Sequence, residues 1–77
     1  MAQKLNFRYD REGDILYISK RPPYKEQESE QLEGEVVARL NPHTGEVEGL
    51  EILFFSTRFL RGESFDLPVD MDLRLAS

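Results

Sequence analysis

The 77-residue chain has no cysteine, no tryptophan and a single histidine, and none of its apolar runs approaches the length of a membrane span. Without cysteine there is no disulfide, no thiolate metal ligand and no thiol nucleophile. That absence suits a reducing compartment, and a cytoplasmic location is the expectation. A bilayer-spanning helix needs about 20 apolar residues, so no membrane segment is expected. Met1–Asn6 has no apolar stretch of the kind that marks a secretory signal. His43 stands beside Pro42 at a turn tip, where a general base would find neither partner nor pocket. There is no glycine-rich phosphate loop, no dinucleotide fingerprint and no nucleophile elbow around any serine. Basic charge is also scarce: ten Lys and Arg against fifteen Asp and Glu give a net charge of −5. The basic residues are scattered, which weighs against a nucleic-acid partner, since a phosphate backbone is held by clustered cations.

A single domain spanning residues 1–77 is all that this length allows. A domain so small buries only about 60% of its unfolded surface and draws extra stability from disulfides, metals or oligomerisation. With thiols absent, self-association is the remaining route, and a homodimer is expected.

The apolar content concentrates in Gly45–Phe55, which runs into Ser56–Leu60. This central run reads as a strand between a turn and a helix start. Leu50, Ile52 and Phe54 alternate with Glu51, Leu53 and Phe55, and an end apolar on both faces suits the middle of a covered sheet. Ser56 has the chemistry of an N-cap and Gly62 that of a helix stop. The helix between them is short and is expected to depend on Phe59 and Leu60 docking on the sheet.

Upstream, Leu5–Tyr9 and Ile15–Ile18 alternate around Asp10–Gly13, the residues of a type I turn. A bulge at Gly13 would set Tyr9 opposite Ile15 and Phe7 opposite Tyr17, turning Leu16 and Ile18 the other way. Residues 21–34 contain Pro22-Pro23 and then Glu26, Glu28, Glu30 and Glu33, and read as a solvated acidic connection. Glu35–Leu40 reads as a strand, and Asn41–Gly45 as the turn of a hairpin that places Arg39 opposite Glu48. Phe65–Leu75 is apolar at each odd position and reads as an edge strand because of Pro68.

The expected architecture is therefore α+β: a small antiparallel β-meander of four to five strands with one short helix after strand four. Helix and tail cover one face. The other, through Leu16, Ile18, Leu53 and Phe55, together with the tail residues Val69, Met71 and Leu73, is the expected homodimer interface. No catalytic residue and no cofactor is expected. Two functional readings follow. In one the chain is a non-enzymatic protein-interaction module whose Glu28, Glu30 and Glu33 meet a basic protein partner. In the alternative, Asp10, Glu12 and Asp14 form a metal-binding domain or metal-dependent hydrolase, since hard cations prefer clustered oxygens.

Two segments carry a resemblance. Tyr9-Asp10-Arg11-Glu12-Gly13-Asp14-Ile15-Leu16-Tyr17-Ile18 and Gly45-Glu46-Val47-Glu48-Gly49-Leu50-Glu51-Ile52-Leu53 followed by Ser56 resemble the short prokaryotic family of unknown function numbered 2283. The resemblance carries no assigned activity; what it implies is a small partner protein, of the antitoxin kind, for a ribonuclease-like toxin. It supplies no catalytic residue. Pro22-Pro23 and the Phe65–Leu75 tail depart from the common pattern.

Overall fold

The computed structural model describes residues 4–62, 64 and 66–76. The expectations for Met1–Gln3 and for Phe65 lie outside the described residues. Among the described residues five strands, β1 (Asn6–Asp10), β2 (Ile15–Ser19), β3 (Glu28–Leu32), β4 (Val36–Leu40) and β5 (Val47–Leu53), precede one helix, α1 (Phe55–Arg61). All strand pairs are antiparallel, in the order β1-β2-β5-β4-β3. The apolar central run is thus the middle strand. β3, β4 and β5 form a meander, whereas the connection after β2 carries the chain to the far edge of the sheet.

The α+β class holds, with two corrections to the strand list. The helix follows the fifth strand, not the fourth, because β3 lies inside the segment that reads as an acidic loop. Four of its five residues are exposed and only Leu32 is half-buried. Its place is fixed by backbone pairing with β4, from Glu28 opposite Leu40 to Leu32 opposite Val36, so it needs no apolar face. Conversely, the alternating tail forms no strand among its described residues.

The β1–β2 register is one residue away from the expected one. Tyr9 pairs with Leu16 and Phe7 with Ile18, because the loop has four residues and Asp14, not Gly13, takes the left-handed conformation at φ 54°. A one-residue slip exchanges faces. Leu16 and Ile18 therefore join Ile52 and Leu50, their β5 partners, and through them Val36 and Ala38. The opposite face mixes charged Arg8, Glu51 and Arg39 with half-buried Ile15, Tyr17, Val37 and Leu53. Among the described residues the buried apolar side chains lie on the first face alone, so the sheet, expected to be apolar on both faces, is apolar on one and mixed on the other.

The core consists of buried Val36, Ala38, Leu50 and Ile52, against which Leu16, Ile18, Leu32, Leu40, Val47 and Phe55 pack. Leu67 and Val69 also reach it, so helix and tail do cover this face. The anchor of α1 is Phe55, near Tyr9 at a ring separation of 5.9 Å. Phe59 and Leu60, expected to dock, are exposed, and α1 has no buried residue. Gly62 ends the helix at φ 68°, its N–H donating to the Phe59 carbonyl at 3.1 Å; a side chain there would strain the left-handed backbone. No helix among the described residues is long and apolar enough to cross a membrane.

Candidate functional site

Asp14 begins as a turn residue and ends as the clasp between the first hairpin and the helix. Just beyond the last β2–β5 pair, its carboxylate reaches the start of α1. Oδ1 accepts the Tyr9 hydroxyl at 2.5 Å and the Ser56 backbone N–H at 2.9 Å, and Oδ2 accepts the Ser56 hydroxyl at 2.7 Å. The Asp14 carbonyl accepts the Phe55 N–H at 3.0 Å. The helix is therefore capped from another element. The residue before it, Phe54, takes the cap position at φ 53° and makes no side-chain cap bond, and Ser56, expected to cap, lies inside the helix as a donor. The Tyr9 and Ser56 donors hold the Asp14 carboxyl below its usual range, and the Asp14 acceptor raises the Tyr9 hydroxyl. A carboxylate stabilised in this way is a weak base, and the arrangement joins the first hairpin to the start of the helix.

A second carboxylate sits at the other end of β5. A register shift in the β4–β5 pair puts Leu40 opposite Val47 and Arg39 opposite Gly49, leaving Glu48 as the extra residue of a bulge. Arg39 consequently pairs with Glu51, not with Glu48. Bulges redirect side chains, and Glu48 is only 5% exposed. Its Oε1 accepts the Tyr24 hydroxyl at 2.6 Å and the Gln27 amide at 3.1 Å; its Oε2 accepts the Asn41 amide at 3.3 Å and an Arg21 N–H at 3.4 Å. The Tyr24 hydroxyl leads the donors that lower the Glu48 carboxyl, and Tyr24 is raised in return. Glu48 thus ties the 20–27 connection to the centre of the sheet and delivers β3 to its edge. Sequence reasoning missed this network. The signal was Glu48, set between Val47 and Gly49 in the central run, with Tyr24 and Gln27 in a loop otherwise rich in charge and proline.

Asp10 accepts the N–H groups of Glu12 and Gly13 at 3.1 and 3.3 Å, while Asp14 is committed to Tyr9 and Ser56. The structure does not gather Asp10, Glu12 and Asp14: among the described residues no group of three or more His, Cys, Asp or Glu is placed to hold a metal. His43 is exposed, its backbone N–H donating to Asn41 Oδ1 at 2.8 Å. Leu16, Ile18, Phe55 and Val69 pack within the chain's own core, Leu53 is half-buried on the opposite face, and Met71 and Leu73 are exposed. Glu28 and Glu30 lie on edge strand β3, on the face of Leu40 and Ala38, and Glu33 in the turn beyond it, all three exposed. A shallow cleft of about 290 Å³ lies between the β3–β4 turn and α1, lined by Gly34, Glu35, Phe54, Thr57, Arg58 and Arg61. Arg58 spans it, donating to the carbonyls of Leu53 and Gly34.

The Tyr9–Asp14–Ser56 clasp joins the two sequence segments that carry the family resemblance. Residues 6–56 match the model of the family described as Protein of unknown function (DUF2283). The chain belongs to this family. The DUF2283 match runs from the first residue of β1 to Ser56, the residue that Asp14 grips, and so contains the whole sheet and its clasp. No curated protein and no solved structure matches the chain.

Proposed function

We propose that this DUF2283 protein is a non-enzymatic protein-interaction module, acting as a homodimer in the cytoplasm and engaging a basic protein partner in the manner of an antitoxin. The observation that carries the reading is β3. It is an edge strand, paired on one side only, with Glu28, Ser29, Glu30 and Gln31 exposed. An edge strand has unpaired backbone groups that can accept a partner strand, and neighbouring side chains select which strand. Here Glu28 and Glu30, with Glu33 beside them, repel acidic chains and favour basic ones. The commitment of Asp14 and Glu48 to internal hydrogen bonds agrees with a binding role, since neither carboxylate is left to serve as a base.

The test is charge reversal of Glu28, Glu30 and Glu33 to Lys in one chain. These side chains are exposed, so the circular dichroism spectrum and melting temperature should stay close to those of the parent. Capture of a basic protein from the source cells, identified by mass spectrometry and released by salt, should be lost. Capture that survives the triple reversal would remove the acidic edge from the account.

A further inference from the structure

The opposite edge of the sheet is built differently. Among the described residues β1 pairs with β2 alone, so its outer edge is open to pairing. The core-side residues of β1 are Phe7, 60% exposed, and Tyr9, 42% exposed. Natural edges are usually blunted by proline, lysine or a bulge. β1 has no proline, its register with β2 is unbroken, and Arg8 lies over the neighbouring Tyr17 ring at 4.3 Å. The tail presents the converse situation. Val69, Met71, Leu73 and Leu75 alternate with Asp70, Asp72 and Arg74, the period of a strand with one covered face. Val69 still rests on the chain's own core. Beyond it Met71, Leu73 and Leu75 are 56%, 69% and 99% exposed, and the segment forms no strand.

We infer that the Asp70–Leu75 segment of one copy pairs as a strand along β1 of a second copy, and that the exchange is reciprocal. Side-chain chemistry fits both faces of the joint. In the parallel register that sets Arg8 beside Asp72, Asp10 falls beside Arg74, and Phe7 and Tyr9 share a face with Met71 and Leu73. Opposite charges and apolar neighbours across strands favour a pairing, and like charges disfavour it. The antiparallel alternative with Arg8 opposite Asp72 brings Asp10 against Asp70. Each exchanged strand extends a sheet from five strands to six and covers its aromatic edge. A reciprocal exchange of this kind is a low-cost route to a dimer. The inference deepens the homodimer part of the proposed function and is independent of the acidic edge at β3.

The test is sedimentation equilibrium of the full chain and of the full-length double variant Met71→Asp/Leu73→Asp over the micromolar range. The parent is expected to be a dimer and the variant a monomer with the same circular dichroism spectrum, since both side chains are exposed in the single copy. A variant that stays dimeric overturns the exchange and leaves the homodimer standing; a monomeric parent overturns both. Because the chain has no cysteine, two single-cysteine chains, Arg8→Cys and Asp72→Cys, give a second readout that does not depend on the aspartate variant folding. Mixed and oxidised, they should form a disulfide between unlike chains. Absence of a disulfide between the unlike chains overturns the inference.

Discussion

Asp14 and Glu48 perform one task at opposite ends of the β2–β5 pair. Beside each, the backbone is also tied: the Phe55 N–H donates to the Asp14 carbonyl at 3.0 Å and the Lys20 N–H to the Glu48 carbonyl at 2.9 Å. Each carboxylate then collects donors from a segment that would otherwise swing free, the start of α1 in one case and the 20–27 connection in the other. The cost of the first clasp falls on Phe54, an exposed aromatic residue held in the left-handed region at φ 53°. For a residue with a Cβ that conformation costs about 1–2 kcal/mol. Glycine removes the strain and gives back about 0.5–1 kcal/mol through the freedom of the unfolded chain. Phe54→Gly should therefore raise stability by up to about 1 kcal/mol in urea denaturation. A loss would mean that the Phe54 ring makes a contact worth more than its backbone strain.

At the scale of the element, β5 is held from both sides, and Gly49 marks how closely. A Cβ placed there would sit 3.3 Å from the Ile18 carbonyl of β2, with the Arg39 Cβ of β4 at 3.7 Å. Strand propensity favours valine over alanine over glycine, but packing should reverse that ranking here. Gly49→Ala is expected to lower stability, and Gly49→Val to lower it further, by about 1–3 kcal/mol as in other overpacked interiors. Stability rising with propensity would show that β5 can shift away from β2. The same element explains what the sequence could reveal. Leu50 and Ile52 announce a buried strand, and Asn41–Gly45 announces its hairpin, confirmed by the Asn41 N–H donating to the Glu46 carbonyl at 2.9 Å. Gly62 announces the helix end. These features follow from local pattern. β3 does not, because Glu-Ser-Glu-Gln-Leu has no apolar period and its pairing partner, β4, is what makes it a strand. The tail errs in the other direction: its alternation is strong, but within one copy it meets no edge. The Glu48 bulge and the left-handed Asp14 shift registers by one residue, and hydrophobic alternation cannot detect either in advance. The exposure of Glu28, Glu30 and Glu33 was legible; the two clasps, made by side chains distant in sequence, were not.

The whole molecule depends on these clasps because its core is small: among the described residues only Val36, Ala38, Leu50 and Ile52 are buried apolar residues. Polar ties that close the sheet at both ends should thus be visible in the pH dependence of global stability. The Asp14 and Glu48 carboxyls are held below their usual range, foremost by the hydroxyls of Tyr9 and Tyr24. A group whose folded value is depressed contributes fully above its unfolded value, about pH 4 for carboxylates, and loses that contribution as pH falls through the folded value. The Tyr9 and Tyr24 hydroxyls are raised by the same bonds. Their contribution is complete below about pH 10, the unfolded tyrosine value, and is lost as pH rises through the folded values. Both limbs of the stability profile should accordingly arise from the same two networks, with a plateau between them. The double variant Asp14→Asn/Glu48→Gln should have a lower plateau and a flatter acid limb in urea midpoints measured across pH, because the groups that protonate are gone. Tyr9→Phe/Tyr24→Phe should flatten the alkaline limb while leaving an acid limb, which becomes shallower because the carboxylates lose their strongest donors. An acid limb unchanged in the Asn/Gln variant would assign acid sensitivity to the exposed carboxylates of β3 and the turns, and would reduce the clasps to ornaments of a sheet that holds without them.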